Sequence, residues 1–442
     1  MGFLISALSF VVVLGIIIFV HEFGHLITAK AFGMRVFVFS FGFGKRLVGF
    51  KWGDTDCRVS AIPLGGYVKL EGEPDDLVSE DTSLRGDGND FVSRPRWQRF
   101  LVYLAGPVMN AVLTFAVLVG LYRVGYEESG TMLQRPVIGA VEKGSPAEAA
   151  GLQAGDEIVA IDGTPQPTWN NAFYSIVIRP NAQVQVRVRR SGEERDVVVH
   201  SGAMPPENAG TIGVRPLTFV QDVTPGSAAE AAGVKAGDGI VRVGERSIAG
   251  VTDVIDAITA NGAKAVVVHL YRDDRFVDLS VTPRDTGAGP KIGVSLGEKL
   301  VVQRYGFAGA AKAAARRSVE MAGQIFEVMG RLLTARISPK TMAGPLGIAQ
   351  MSGEAARRGA QYWWSFVAFI SINVGILNLF PLVPLDGGHL AILAVEGAAR
   401  RDMSPLVKGW IMNAGAAVIF LLIGLVLLSD ISKTPFVQRL LQ

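Results

Sequence analysis

Residues 3–25 read FLISALSFVVVLGIIIFVHEFGH. The run Phe3 to Val20 is uncharged and leads without a break into His21-Glu22-Phe23-Gly24-His25. A helix needs about 20 apolar residues to cross a hydrocarbon core. Positions i and i+4 share a helix face, so His21 and His25 aim at one point, with Glu22 beside them. Ionisable groups at the end of such a helix are costly unless partnered, which favours a site over plain interfacial residues closing a span. A cleaved signal peptide fits less well. It needs a basic start, and no Lys or Arg precedes residue 30.

Three more apolar blocks follow, near 100–122, 362–385 and 409–429. The direct reading is a multi-pass membrane protein with four transmembrane helices. Composition agrees: 49% of the 442 residues are hydrophobic and only 19% charged, against about 25% charged in soluble domains. This excludes a disordered chain. A net charge of +3 with no basic block leaves no nucleic-acid footprint. Lys30, Arg35, Lys45, Arg46, Arg94, Arg96 and Arg99 flank the first two spans, and Arg400, Arg401 and Lys408 join the last two. These outvote Arg357, Arg358, Lys433 and Arg439, so both basic loops belong in the cytosol and both termini outside.

The segment between the second and third blocks contains a duplication. Gly144 to Gly163 reads GSPAEAAGLQAGDEIVAIDG, and Gly226 to Glu245 reads GSAAEAAGVKAGDGIVRVGE, twelve of twenty positions being identical. Ile212-Gly213-Val214 is echoed by Ile292-Gly293-Val294. Two modules follow, 135–215 and 216–296. In each, Ser145 or Ser227 can cap a short helix and Gly151 or Gly233 can end it, before a turn through Ala-Gly-Asp into a strand. These residues resemble the helix–AGD–strand signature of bacterial PDZ domains. The resemblance implies α+β modules with a groove where a chain end adds as a strand. Modules acting only as spacers are the alternative. His200 and His269 fall in strand-like stretches and read as surface residues.

Two histidines leave a catalytic zinc site one ligand short. Cys57 is the sole cysteine, and no histidine lies between His25 and His200. Glu71 and Asp76 sit in a loop with no special setting. The other conspicuous ionisable group beside a span is Asp386, in Asn378-Leu-Phe-Pro-Leu-Val-Pro-Leu-Asp386-Gly387-Gly388-His389. Two prolines break the helix there and the glycine pair permits a sharp turn. Broken backbone at membrane depth suits a buried cavity. Asp386 is the expected third ligand, with His389 as its competitor.

HEFGH in a first span, NLFPLVPLDGG in a third, and tandem PDZ-like modules between them closely resemble the site-2 protease family of intramembrane zinc metalloproteases, in its bacterial regulator-of-sigma-E branch. FSFGFGKRL (39–47), PLGGYVKLEGE (63–73), AGPVMN (105–110) and AGPLGIAQ (343–350) extend the likeness over nearly the whole chain. The resemblance implies zinc held by His21, His25 and Asp386, and Glu22 as catalytic base. It departs from the common N-x-x-P-x-P pattern in placing the second proline one position later, at Pro384, while keeping the Asn378-to-Asp386 spacing. The family implies a membrane-associated β-sheet in 35–98 whose edge pairs with substrate. Gly65, Gly66 and Tyr67 are the expected edge, and a purely structural hairpin is the alternative. Asn378 either holds the unwound substrate or makes an interhelical hydrogen bond, the role also expected of Asn110.

The resulting map places the first span with its motif in 1–34, the β region in 35–98 and the second span in 99–124. After the two modules come linker and interfacial helices in 297–361. The third span with its LDG motif occupies 362–388, the fourth 406–429, and a tail 430–442. By resemblance the substrates are single-pass membrane proteins, a pre-trimmed anti-sigma factor and signal-peptide remnants among them, with the PDZ pair gating entry. Membrane lipid and a chain-end ligand of the modules are the other partners. The expected location is the inner membrane, the modules outside it and the zinc site near the cytosolic side. A PDZ adaptor with a degenerate metal site, or a transporter, are rival classes. The intact His21, His25 and Asp386 set opposes the first, and the lack of a membrane repeat opposes the second.

Overall fold

The computed structural model describes residues 2–72, 88–204, 209–273, 275–285, 289–297, 300–334 and 343–432. It divides into two compact units, one built on Met1–Tyr126, Arg304–Leu333 and Met342–Gln442, the other on Glu127–Gln303. Among the described residues, four helices are long and apolar enough to cross a membrane: Leu4–Ala31, Arg96–Val124, Ala360–Asn378 and Leu406–Leu428.

In the first unit, helix α1 (Gly2–Ala31) has no polar face over its first five turns. His21 lies nineteen positions past Gly2, about 28 Å along the axis at 1.5 Å per residue. Strands β1 (Val36–Trp52) and β2 (Thr55–Leu70) form an antiparallel hairpin. Its register pairs Phe39 with Val68, Ser40 with Tyr67 and Phe41 with Gly66. The outer part of the hairpin curls back, so that Val38 is partnered by Asp56 as well as by Lys69.

The hairpin base is fixed by Arg35, whose guanidinium pairs with the wholly buried Glu71. Glu71 therefore has a definite structural setting, contrary to the sequence expectation. A buried carboxylate needs a partner, and the residue before the strand supplies it. Asp76 lies outside the described residues.

Helix α2 (Arg96–Val124) packs on α1 through small residues. A Cβ on Gly24 would lie 2.5 Å from the Ala105 carbonyl oxygen, so the central glycine of HEFGH lets the two backbones approach. The helices Phe307–Leu333 and Pro345–Arg358 fill part of the 297–361 linker. Both pack against the spans. Ala310, Ala314, Met321 and Ile325 join a buried cluster with Leu118 and Tyr122 of α2. The 345–358 helix meets α1 through Ser352, which hydrogen-bonds Ser9 at 2.6 Å. Clusters of Ala and Gly conceal such packing, because small residues read as neutral in an amphipathic pattern.

The third apolar block is not one span to residue 388. Its helix, Ala360–Asn378, ends before Pro381 and Pro384, whose missing N–H groups cannot continue the ladder. A new helix, Asp386–Ala399, starts at the aspartate itself. A Cβ on Gly387 would collide with the Leu379 backbone, so only glycine lets this helix fold back onto the segment it left. The last helix is Pro405–Ser432; residues 433–442 lie outside the description.

The second unit repeats one local design. The Ser145 hydroxyl accepts from the Glu148 amide while the Glu148 carboxylate accepts from the Gly144 amide. Ser227, Glu230 and Gly226 do the same, so both helix starts are capped in the same way. Gly151 and Gly233 end the short helices at φ of 80° and 86°. Asp156 and Asp238 in the Ala-Gly-Asp turns each receive an arginine, Arg190 and Arg272, at 2.6 Å. Sheets Thr164–Pro165/Glu157–Ile161/Gln183–Arg190/Glu193–His200 and Arg275–Val281/Val266–Arg272/Gly239–Val243/Thr218–Val223/Val294–Gly297 carry separate apolar cores. His200 is exposed. His269 is half-buried, its Nδ1 2.6 Å from Asp278 and its Nε2 3.1 Å from Arg242.

Candidate active site

The i, i+4 spacing on α1 brings the His21 and His25 Nε2 atoms to 3.3 Å of each other. Asp386, at the start of its helix, lies 3.0 Å from His21 Nε2 and 3.5 Å from His25 Nε2. Both histidines are buried, and Asp386 Oδ2 is a buried oxygen with no hydrogen-bond partner. Among the described residues this is the one group of three His, Cys, Asp or Glu side chains able to hold a metal ion.

Two ring nitrogens and a carboxylate facing one point suit a cation. A tetrahedral ion with bonds of about 2.0–2.1 Å spaces its ligand atoms about 3.3 Å apart, so the three donors fit zinc.

What surrounds these donors fixes which nitrogen faces inward. The His25 Nδ1–H donates to the Val102 carbonyl at 2.8 Å, leaving Nε2 as the lone-pair end. His21 Nδ1 lies 3.2 Å from the Asn110 amide group. Gly106 stands between these two, and a Cβ there would collide with His25 Nε2 and lie 2.7 Å from His21 Nε2. Val102, Gly106 and Asn110 follow one another at i, i+4 and i+8 and so form one face of α2. Sequence reading placed AGPVMN in the family pattern without giving Gly106 a role, and gave Asn110 only an interhelical one. The spacing of four was the available signal.

A cleft of about 720 Å³ opens on the donors, lined among others by Glu22, Gly65, Gly66, Tyr67, Asn378 and His389. The expected edge residues thus reach the site, but unequally. Gly66 abuts Glu22: a Cβ on it would lie 3.0 Å from the Glu22 Cγ and 2.9 Å from the Ser40 carbonyl. Tyr67 spends its side chain inside the hairpin, stacked on Phe43 and hydrogen-bonded by Arg58. Asn378 ends its helix with its amide nitrogen 3.3 Å from His21 Nε2. His389 stacks on Tyr103 at 4.7 Å and stands outside the three-donor group. Cys57 is buried in the hairpin, and burial pushes its thiol above the usual pKa, which makes it a poor nucleophile.

Comparison with known proteins adds an independent finding. The model of peptidase family M50 matches residues 9–422. The regulator of sigma-E protease RseP of Escherichia coli (strain K12) is 31% identical over 461 residues, covering 98% of this chain and 100% of the relative. Protease RseP of Yersinia pestis is 31% identical over 462 residues, covering 98% and 100%. A relative from Vibrio cholerae that carries the name of a zinc metalloprotease is 30% identical over 456 residues, covering 96% and 98%.

Proposed function

We propose that this chain, which belongs to peptidase family M50 and is a zinc metalloprotease, hydrolyses peptide bonds within the transmembrane segments of single-pass membrane proteins. The observation that carries this reading is the three-donor group of His21, His25 and Asp386, whose two histidines stand on a helix apolar enough to cross a membrane. These residues would hold the zinc. When bound there, the ion supplies a Lewis acid that acidifies water and polarises a carbonyl.

Glu22 takes the proton of the attacking water and delivers it to the leaving nitrogen. It is the acid–base group on the same turn as His21 and His25, and it lines the same cleft. Asn378, beside His21, offers an amide N–H to the carbonyl oxygen as charge develops on it.

A helical substrate hides its carbonyls in its own hydrogen bonds, so it must be extended before it is cut. The 65–68 edge of β2 lines the cleft, and an added strand there would run its peptide bonds past Glu22. Gly66→Val should therefore lower kcat/KM by about 10²-fold, the scale of a misplacement near 1 Å. Zinc content should stay unchanged. Assay of the purified variant checks this, and wild-type kinetics would remove the edge from the account.

We infer a pre-trimmed anti-sigma factor as substrate, with signal-peptide remnants as a further class, a reading supported by relatives named as regulators of sigma-E. The duplicated modules, read as a PDZ pair outside the membrane, then gate entry against substrates still carrying large domains. The basic loops support a zinc site near the cytosolic side of the inner membrane.

The test is reconstitution in liposomes with a purified single-pass protein. Cleavage inside the apolar segment, only after its outer domain is removed, is the expected result. Deleting 135–296 should admit the untrimmed protein. Cutting confined to soluble regions would overturn the proposal.

A further inference from the structure

We infer that Asn110 is a positioning residue for the zinc ligand His21, and that one face of α2 forms the outer shell of the metal centre. The inference rests on the proposed ligand set and concerns a residue outside it.

Asn110 is wholly buried. Its backbone is locked between helices: its carbonyl accepts from the Ser371 hydroxyl at 2.9 Å and lies 3.0 Å from the Thr114 hydroxyl, which also reaches the Ala368 carbonyl at 3.0 Å. Gly375 of the 360–378 helix leaves room for it, since a Cβ there would lie 3.1 Å from the Asn110 Cβ. A side chain held this firmly has one remaining job, at its amide end, which meets His21 Nδ1.

Chemistry decides which amide end serves. His21 must direct a lone pair from Nε2 toward Asp386 and His25, so its proton resides on Nδ1. An N–H there needs an acceptor, and the Asn110 amide nitrogen is not one. The Asn110 Oδ1 is a buried oxygen with no partner in the opposite orientation. The two ends of an amide are alike in shape, so turning it brings Oδ1 to His21, where it accepts from the Nδ1–H. The Val102 carbonyl performs the same task for His25 two turns earlier on α2. Between them, Gly106 contributes the space in which the two Nε2 atoms converge. A ligand histidine whose second nitrogen is held by an acceptor keeps its tautomer and its ring orientation, and loss of such a partner typically costs about 10–100-fold in metal affinity.

The test is zinc affinity of the detergent-purified full chain, measured by competition with a graded series of chelators and read separately from protease activity. Asn110→Leu, similar in size but without an acceptor, should weaken zinc binding about 10–100-fold. Asn110→Asp, which can only accept, should bind zinc as tightly as the wild type or more tightly. Thermal melting of the chelator-stripped proteins shows whether the Leu variant is folded. If it is not, the Asp variant alone decides. Zinc binding weakened in Asn110→Asp would mean that the amide acts as a donor, which overturns the inference. Wild-type zinc affinity in a folded Asn110→Leu would overturn it equally. Failure of every variant, and of the wild type, to bind zinc would instead strike at the ligand set on which the inference rests.

Discussion

Glu22→Gln should leave the protein folded and fully loaded with zinc while lowering kcat by about 10³-fold, within the range of about 10²–10⁴ typical of a positioned general base. Glutamine keeps the shape and the hydrogen-bonding length of the side chain and loses only its ability to take a proton. Glu22 lines the cleft on the turn of α1 that carries His21 and His25, but it is not one of the three converging donors. Substrate binding along the hairpin edge does not use its charge, so KM should change little. The signature is therefore a split: kcat collapses, zinc content and KM persist. Rates of fragment release from a reconstituted single-pass substrate, with metal analysis of the same preparation, provide the check. A fall in zinc content would recast Glu22 as a ligand. An undiminished kcat would remove it from the chemistry.

Gly106→Ala is the second large expectation, and it arises from packing rather than from chemistry. The added methyl would collide with the His25 Nε2 and approach that of His21 to 2.7 Å, inside the space where the ion belongs. Neither histidine can retreat easily, because Val102 and Asn110 hold their outer nitrogens. Retreat would also break the contact between α1 and α2 made through Gly24. The variant should thus lose zinc as completely as a ligand substitution does, and activity with it, although alanine is the better helix former by about 1 kcal/mol. Zinc stoichiometry and cleavage rate measure this together. Zinc retained at the wild-type level would mean that α2 stands farther from the donors than described.

These two expectations separate what the sequence could tell from what it could not. His21, Glu22 and His25 were legible because helical geometry alone puts i and i+4 on one face. Asp386 was legible because a charge, two prolines and a glycine pair at the end of an apolar block are costly unless they build something. The repeat declared itself by identity, and its short helices by Ser145 and Ser227 at their starts and Gly151 and Gly233 at their ends.

Gly106, Asn110 and the Val102 carbonyl were not legible as a set. Their meaning depends on which face of α2 meets α1, and α2 is apolar nearly all round, so periodicity points nowhere. Glu71 was passed over for a related reason. Its partner, Arg35, is thirty-six positions earlier and is brought to it only by pairing of the hairpin. The restart of the chain as the 386–399 helix was also hidden, since an apolar block with two prolines fits an interrupted span and a terminated one alike.

The claim on which everything else depends is that the third donor comes from Asp386, 361 positions after His25. It is tested most directly by counting zinc in the detergent-purified protein and two variants, Asp386→Ala and His389→Ala. His389 is three residues from the aspartate and lines the same cleft, but it is stacked on Tyr103. One zinc per chain is expected in the wild type and in His389→Ala, and almost none in Asp386→Ala. Zinc retained without Asp386 and lost without His389 would contradict the claim.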